Sequence, residues 1–274
     1  MNETALISRL NELPRLKQVL QELLEMVNQD DVDFGKLSDK MIQDQILSAR
    51  LLRMANSAHF GGGKSISSIN DAIIRVGSGP VRTLVVASVL SGAFPKLKTL
   101  NLKEYWANTF EVATIASKIG AKAGLDPSEV FTTSVLHNIG ELMIHSLIPE
   151  GALEIENRVE AGENRFDVQQ ALLTTSSPVL GAKLAKQWKF PDEMVDAILN
   201  FNDPSQAHAS PKLASTIHLA RAIHDVWDDF ENEEQKSLFI AQHTSAQALD
   251  ISGLFFETVD KVRGNGRELA EKLA

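Results

Sequence analysis

The spacing of apolar residues is the feature of this sequence that most restricts its fold. Apolar side chains recur every three or four residues through most of the 274-residue chain, which is the repeat of one face of an α-helix. No segment alternates apolar and polar residues for more than about five positions, the usual length of a strand. The sequence therefore predicts an all-α protein built as a multi-helix bundle.

The N-terminal third contains three predicted helices. Residues 15–28 form one apolar face, made by Val19, Leu20, Leu23, Leu24 and Val27. Residues 38–56 carry a stripe of Ile42, Ile46, Ala49 and Leu52, which is widened by Leu47, Leu51, Met54 and Ala55. So broad an apolar arc indicates a helix that packs on more than one side. The valine-rich segment 80–93 keeps helical spacing, and Pro80 suits a first helical turn, so a buried helix is predicted there.

Proline marks the predicted start of two further helices. Ser177 precedes Pro178, which predicts a hydroxyl cap followed by proline in the first turn. The buried face of that helix is expected to contain Val179, Leu180, Leu184 and Trp188. Pro211 opens the second helix, whose buried face is expected to contain Leu213, Ile217, Ala220, Ile223 and Trp227. The breaks between helices are short, so one continuous helical body is expected.

Charge and composition restrict the classes of partner and location. The chain has 27 Lys and Arg against 36 Asp and Glu, a net charge of −9, and no basic patch. Nucleic-acid binding is therefore not expected. No apolar run reaches the roughly 18 residues of a membrane span, and the N-terminus lacks the apolar core of a signal peptide. The absence of cysteine excludes disulfides and thiolate zinc sites and agrees with a cytoplasmic location.

Three segments of the N-terminal third carry a recognisable pattern. They are Leu13-Pro14, QDQILSARLLRMANSAHFG at 43–61 and ISSINDAIIRVG at 66–77. These segments resemble motifs of the HDOD (HD-related output domain) family, helical signalling domains within the HD-domain superfamily of metal-dependent phosphohydrolases. Polar Asn56 and Ser57, then Gly61, follow an apolar helix end in this match. The side chains of Asn56 and Ser57 are expected to hydrogen-bond the carbonyls that have no partner at that helix end. Ordinary C-capping would also require such bonds.

The resemblance covers about residues 9–230 and implies an HD-domain-like multi-helix bundle. It divides the chain into an N-terminal helical part at 9–93 and an HD-like part at 102–230. Residues 231–274 are not diagnostic, and they are expected to form a C-terminal helical extension packed on the same body. The resemblance also implies a bacterial protein.

The resemblance further places the metal-ligand positions of the phosphohydrolases in this chain. In those enzymes His and Asp side chains hold one or two metal ions that activate a water. In VLHNIGELMI, His137 is retained, but the family's aspartate is Asn138 and its lysine is Glu141. The other ligand positions are occupied by Asn108, Ser177, Phe201, Asn202 and Arg221. The expected consequence is a degenerate site with no metal, no cofactor and no catalytic residue.

Two rows of polar residues have simpler interpretations than a metal site. His137, Glu141 and His145 would align on a straight helix, with the ends about 12 Å apart at roughly 1.5 Å per residue. One ion reaches at most two of them, so His137 is interpreted as a hydrogen-bonded core histidine. A second row of His218, Arg221 and Asp225 is interpreted as a polar seam or salt bridge, and His224 as a core histidine.

Three functions follow from these observations. The preferred one is a non-catalytic signal-transduction module, a stand-alone adaptor that binds a protein partner or small ligand. The first alternative is a metal-dependent phosphohydrolase acting on nucleotides or cyclic dinucleotides. The second is a sensor of an anionic small molecule, in which Arg221 favours negative charge. In that case a neutral or basic vestigial cleft is lined by Asn108, His137, Asn138, Ser177 and Arg221.

Overall fold

The computed structural model describes residues 18–27, 29, 32–56, 60, 65–94 and 97–273. All regular structure in these ranges is helical, and none of it is strand, so the all-α prediction is confirmed. The chain divides into two compact units, one within Pro14–Pro95 and one within Lys96–Ala270. The helices of the smaller unit are α1 (Gln18–Val27), α2 (Phe34–Met41), α3 (Gln45–Ala55), α4 (Ile69–Val76) and α5 (Ser78–Ala93).

The prediction of one helix over 38–56 is wrong, because two helices occupy this range. The Asp44 carboxylate accepts hydrogen bonds from the backbone N–H groups of Ile46 and Leu47 and so begins α3. The buried face also differs from the predicted stripe. Ile42 and Ile46 are 57% and 62% exposed. The core of α3 is instead formed by the residues predicted to widen the stripe, Leu47, Leu51, Met54 and Ala55.

Helix α5 is the buried helix predicted for the valine-rich segment, with Pro80 in its first turn. Its residues Val81, Leu84, Val85 and Val89 are fully buried. By length and apolar composition, none of the described helices can cross a membrane alone. The two segments Ile69–Val76 and Ser78–Leu90 meet those criteria only as a pair, bent by 114°.

Asn56 joins the end of α3 to the segment that precedes α4. Its Nδ2 donates to the carbonyls of Leu52 at 2.9 Å and Ile66 at 2.7 Å. Its Oδ1 accepts from the backbone N–H of Ile66 at 2.8 Å. Asn56 therefore caps the helix and also closes the loop that follows. Ser57 and Gly61, the other two motif residues, lie outside the described residues.

Substituting Asn56 by alanine is expected to lower the free energy of unfolding by about 1–2 kcal/mol. The substitution removes three hydrogen bonds, each with a net contribution of about 0.5–1.5 kcal/mol in general and less at an exposed site. Urea denaturation followed by circular dichroism measures the change. Asn70→Ala, at an exposed position of α4, is the matched control. An equal effect of the two substitutions would contradict this role of Asn56.

The larger unit is built around a pair of long helices. It contains α6 (Leu102–Lys122), α7 (Pro127–Leu136), α8 (Ile139–Leu147), α9 (Pro149–Glu160), α10 (Arg165–Leu173), α11 (Ser177–Gln187), α12 (Asp192–Asn200), α13 (Pro211–Val226), α14 (Glu233–Gln242), α15 (Thr244–Ala248), α16 (Phe256–Val262) and α17 (Asn265–Leu273). Helix α6 packs against α7 and α13, and α11 packs against α8 and α12. The predicted face of α13, from Leu213 to Trp227, is buried in the central core.

The C-terminal helices up to Ala270 belong to this larger unit. The buried carboxylate of Glu111 in α6 accepts hydrogen bonds from the backbone N–H of Gly264 at 2.7 Å and Gly266 at 3.0 Å. The Trp227 indole N–H donates to Asp260 at 2.7 Å. Glu111 thus supplies the acceptor for the first turn of α17, where N–H groups have no partner within the helix.

The predicted hydroxyl cap at Ser177 is wrong. The N-cap residue of α11 is Ser176, which makes no side-chain cap bond, and Ser177 lies inside the helix. The backbone N–H of Ser177 donates to the side-chain carbonyl of Gln169 at 2.8 Å, so an amide from α10 takes the place of the cap. The Ser177 hydroxyl is buried and makes no hydrogen bond with any described residue.

Candidate functional site

A cleft of about 450 Å³ opens in the larger unit. Its walls come from α6, from the junction of α7 and α8, and from α13, with single residues of α9 and α10. Of the seven residues at the family's ligand positions, which are the candidates for lining a vestigial cleft, four line it: Asn108, His137, Asn138 and Arg221. Asn108 and Arg221 are 113 positions apart in the sequence, and helix packing brings them into one cleft.

The other three predicted residues do not line the cleft. Ser177 and Phe201 are each 1% exposed. The Phe201 ring contacts the His137 ring edge-on at 5.1 Å between centroids, so it supports a cleft residue without being one. Asn202 is exposed to solvent.

His137 is a buried, neutral histidine. It is 2% exposed, and its Nδ1 donates to the backbone carbonyl of Ser134. Burial lowers the pKa of His137 to about 3, and the positive charge of Arg221 contributes to this lowering. The ring is therefore uncharged at neutral pH. These contacts agree with the interpretation of His137 as a hydrogen-bonded core residue.

His137 does not share one straight helix with Glu141 and His145. Helix α7 ends at Leu136 and α8 begins at Ile139, so the chain breaks its helical path at Asn138. Only Glu141 and His145 share a helix, and both are buried.

Glu141 belongs to an ion-pair network centred on Arg165. The Arg165 guanidinium donates twice to the Glu156 carboxylate, at 2.7 Å for each bond, and once to Glu141 at 3.4 Å. The other Glu141 oxygen accepts from Gln169 Nε2 at 2.7 Å. The Arg165 hydrogen bonds, followed by His145, lower the pKa of Glu156 to about 2. The bonds to Glu156 in turn raise the pKa of Arg165.

His145 extends this network. Its Nε2 lies 3.4 Å from a Glu156 oxygen, and its Nδ1 lies 2.8 Å from the hydroxyl of Thr99. Potential ligand atoms of Glu141, His145 and Glu156 all lie within 4.8 Å of one another, close enough to bind one cation. Arg165 already supplies a cation to both carboxylates, and a metal would have to displace its hydrogen bonds.

The residues at the family's metal-ligand positions do not fit a dinuclear metal centre. Among them only His137 is a strong ligand, and Asn138 offers a neutral amide that cannot bridge two ions as a carboxylate does. Arg221 brings a positive charge into the same cleft. The three-residue cluster around Glu156 therefore differs in composition from the site that the resemblance implies.

Arg221 does not form the predicted salt bridge. Its guanidinium lies over the rings of Phe201 and Phe166, at 5.0 Å and 5.9 Å from their centroids. Within the described part of the chain, it makes no hydrogen bond and no carboxylate lies within 4.0 Å of it. Asp225 instead contacts His224 at 3.1 Å. The guanidinium therefore contacts two aromatic rings, and it does not pair with Asp225 as predicted.

Of the predicted seam, Arg221 and Asp225 attract each other electrostatically without forming a salt bridge, whereas His218 Nδ1 donates to the Phe201 carbonyl at 2.9 Å. His224 is not a core residue. Its side chain is 17% exposed, and it lines the cleft beside Asp225.

The sequence motifs predict a neutral or basic cleft, but the cleft is acidic. The arginines that line it are Arg165 and Arg221, and the carboxylates are Glu104, Glu141, Glu156 and Asp225. Acidic groups therefore exceed arginines. None of these acids occupies a ligand position of the family pattern, so the motif did not predict their presence in the cleft.

Tyr105, Glu156 and Arg165 are cleft residues that sequence reasoning missed. Tyr105 precedes Asn108 by three positions on α6, so helical spacing from that motif residue was an available signal. Glu156 and Arg165 belong to separate helices, and no local pattern connects them with the cleft.

The HDOD domain profile matches residues 13–204 of this chain. A candidate phosphohydrolase from Shewanella amazonensis SB2B is 36% identical, with 98% of each chain covered and a TM-score of 0.87. An HDOD domain protein of unknown function from Geobacter sulfurreducens has the same fold at 23% identity, with a TM-score of 0.82 and 99% and 97% of the two chains covered.

A curated relative is an uncharacterized protein of Treponema pallidum (strain Nichols), 27% identical over 224 residues. The match covers 79% of this chain and 43% of that protein, so this chain spans less than half the length of that relative. The match of the family profile to most of the chain, with the helical fold and the motif residues described above, shows that this chain belongs to the HDOD domain family.

Proposed function

We propose that this chain is a non-catalytic regulatory module of signal transduction. It acts by binding a protein partner or a small ligand through a degenerate HD-type scaffold. The observation that carries the proposal is the set of side chains at the former ligand positions of the cleft. There His137 stands beside Asn138, and Arg221 occupies a metal-ligand position of the family pattern.

Arg221 is the strongest argument against catalysis by a metal at His137. Its charge already lowers the pKa of His137, so it would also oppose a divalent cation bound to that ring. A neutral Asn138 offers no compensating negative charge. Since a fold does not determine function by itself, the proposal rests on these side chains and not on the helical bundle.

Metal-dependent phosphohydrolysis is the second candidate, and one observation favours it. Glu141, His145 and Glu156 place carboxylate and imidazole groups close enough for one cation. The Shewanella amazonensis relative, at 36% identity, is itself described as a candidate phosphohydrolase. Activity of this chain would then depend on the displacement of Arg165 from the two carboxylates.

The two functions are separated by metal content and turnover of the purified chain. Protein prepared without chelator is expected to contain far less than one transition metal per chain by elemental analysis. With added Mn²⁺ or Mg²⁺ it is expected not to hydrolyse bis(p-nitrophenyl) phosphate, nucleotides or cyclic dinucleotides. Stoichiometric metal with turnover that is lost in Glu141→Gln and His137→Ala, and kept in the control Glu150→Gln on α9, would overturn the proposal.

A further inference from the structure

We propose that the cleft binds a small ligand through a single oxyanion group, a carboxylate or a phosphate, held by Arg221 and Tyr105. This inference rests on the proposed function, because it names the ligand class of a cleft that binds without turnover. Two buried donor groups in one cavity carry it, a guanidinium without an ion pair and a hydroxyl without a regular hydrogen bond, and the surrounding carboxylates restrict the rest of the ligand.

The first donor is the Arg221 guanidinium. Its carbon lies 5.0 Å from the Phe201 ring centroid and 5.9 Å from that of Phe166, which fixes the position of the group. Arginine carries five N–H donors in a planar fork that matches an oxyanion. Within the described residues none of these donors makes a hydrogen bond or an ion pair within 4.0 Å, and Asp225 and Glu141 attract the charge only from a greater distance. The rings of Phe201 and Phe166 thus position the guanidinium, and its N–H groups can donate hydrogen bonds to a ligand.

The second donor is the hydroxyl of Tyr105 on α6. The residue is 7% exposed and lines the same cleft, and its hydroxyl makes no hydrogen bond of regular geometry within the described chain, although the Thr109 side chain interacts with it. Burial and the nearby charge of Glu141 raise the pKa of Tyr105, so the hydroxyl stays protonated. A buried hydroxyl without a regular hydrogen bond is uncommon in folded proteins. A ligand oxygen would satisfy it together with Arg221.

The other charged groups of the cleft already have partners. Arg165 is paired with Glu156 and Glu141, and Asp225 contacts His224. Arg221 is therefore the arginine of this cleft that remains for an anion.

The acidic groups limit the ligand to one negative group. Asp225 and Glu104 line the cleft with side chains that are 59% and 54% exposed. Their charge would repel a second anionic group and favour a neutral or cationic remainder. The cleft volume of about 450 Å³ suits a small molecule. Polyanions such as pyrophosphate are therefore expected to bind less well than zwitterions.

Isothermal titration calorimetry at constant ionic strength tests this inference. The probes are β-alanine, a carboxylate zwitterion, phosphoethanolamine, a phosphate zwitterion, and pyrophosphate. Saturable binding of at least one zwitterion, tighter than pyrophosphate, is expected, and the preferred zwitterion identifies the oxyanion. Arg221→Gln is expected to weaken binding about tenfold or more, and Tyr105→Phe by a smaller factor. Arg158→Gln, which removes an arginine paired with Glu163 on the surface, is expected to bind normally.

A second measurement does not depend on finding the right ligand. Arg221→Met keeps a long side chain over the rings but removes a charge whose burial outweighs its attraction to Asp225 and Glu141, so the ligand-free variant is expected to melt about 2–4 °C higher than wild type. An arginine with only a structural role would give a lower melting temperature.

Several outcomes would overturn the inference. They are no saturable binding of either zwitterion by folded wild type, equal binding by Arg221→Gln, tighter binding of pyrophosphate, or a lower melting temperature of Arg221→Met. The proposed function can fail separately. If the chain shows turnover and also binds a zwitterion at Arg221, the non-catalytic function is wrong and the oxyanion site stands. If the chain shows neither zwitterion binding nor turnover, the oxyanion site is wrong and the non-catalytic function stands.

Discussion

Replacing Gly140 by alanine is expected to lower the free energy of unfolding by about 3 kcal/mol or more, because α8 and α11 touch through their backbones at this point. A Cβ atom at Gly140 would lie 1.9 Å from the carbonyl oxygen of Ser177 and 2.7 Å from its Cα. A backbone group cannot move aside as a flexible side chain does, so the two helices would have to separate. Urea denaturation followed by circular dichroism measures the loss.

Gly92→Ala is the matched control for this prediction. Gly92 also lies within a helix, and among the residues that the structure describes its added Cβ would meet only Leu20 Cδ1 at 3.6 Å, an ordinary contact. Alanine is favoured over glycine in a helix by about 1 kcal/mol, so this variant is expected to be as stable as wild type or more stable. A Gly140→Ala protein within about 0.5 kcal/mol of wild type would show that the helices do not approach so closely.

Replacing Arg165 by methionine is expected to lower the free energy of unfolding by about 3 kcal/mol at neutral pH. The substitution leaves Glu141, which is 5% exposed, without a cationic partner, and it removes both hydrogen bonds to Glu156. Breaking one side of a buried ion pair is costly because the other charge stays desolvated. Thermal and urea denaturation of the two proteins measure the difference.

The effect of Arg165→Met is expected to depend on pH. The pKa of Glu156 is lowered from 4.5 to about 2 in the folded chain, chiefly by the hydrogen bonds of Arg165. A carboxyl group with a lowered folded pKa stabilises the fold above its unfolded pKa and loses this contribution as the pH falls through the folded value. The stability advantage of wild type over the variant is therefore expected to be full above about pH 5 and to shrink between about pH 4.5 and 2.

Arg158→Met is the control, since Arg158 pairs with Glu163 on the surface of the same unit. Exposed ion pairs contribute about 0–1 kcal/mol, so this variant is expected to unfold almost as wild type does. If the advantage of wild type over Arg165→Met grew as the pH fell, the assigned role of Arg165 in holding Glu156 ionised would be wrong.

The helical class and several helix boundaries follow from the sequence because they depend on local chemistry. Pro80 and Pro211 each lie in the first turn of a helix, and the apolar spacing of α13 predicts its buried face. The break after Met41 also has a local cause in Asp44, but the long apolar stripe across 38–56 obscured it. Spacing alone cannot tell a continuous helix from two helices when both have apolar residues in the same phase.

The sequence by itself determined an all-α chain, the HDOD motifs and the positions where Asn138 and Arg221 replace metal ligands. Only the tertiary structure decided which of those positions share a cleft, because helix packing joins residues that are far apart in the chain. The packing buries Ser177 and Phe201, brings Glu156 and Arg165 into the site, and places Arg221 over two aromatic rings without an ion pair. Partners of a charged group are set by distance in space, and distance in space is not encoded in any local pattern.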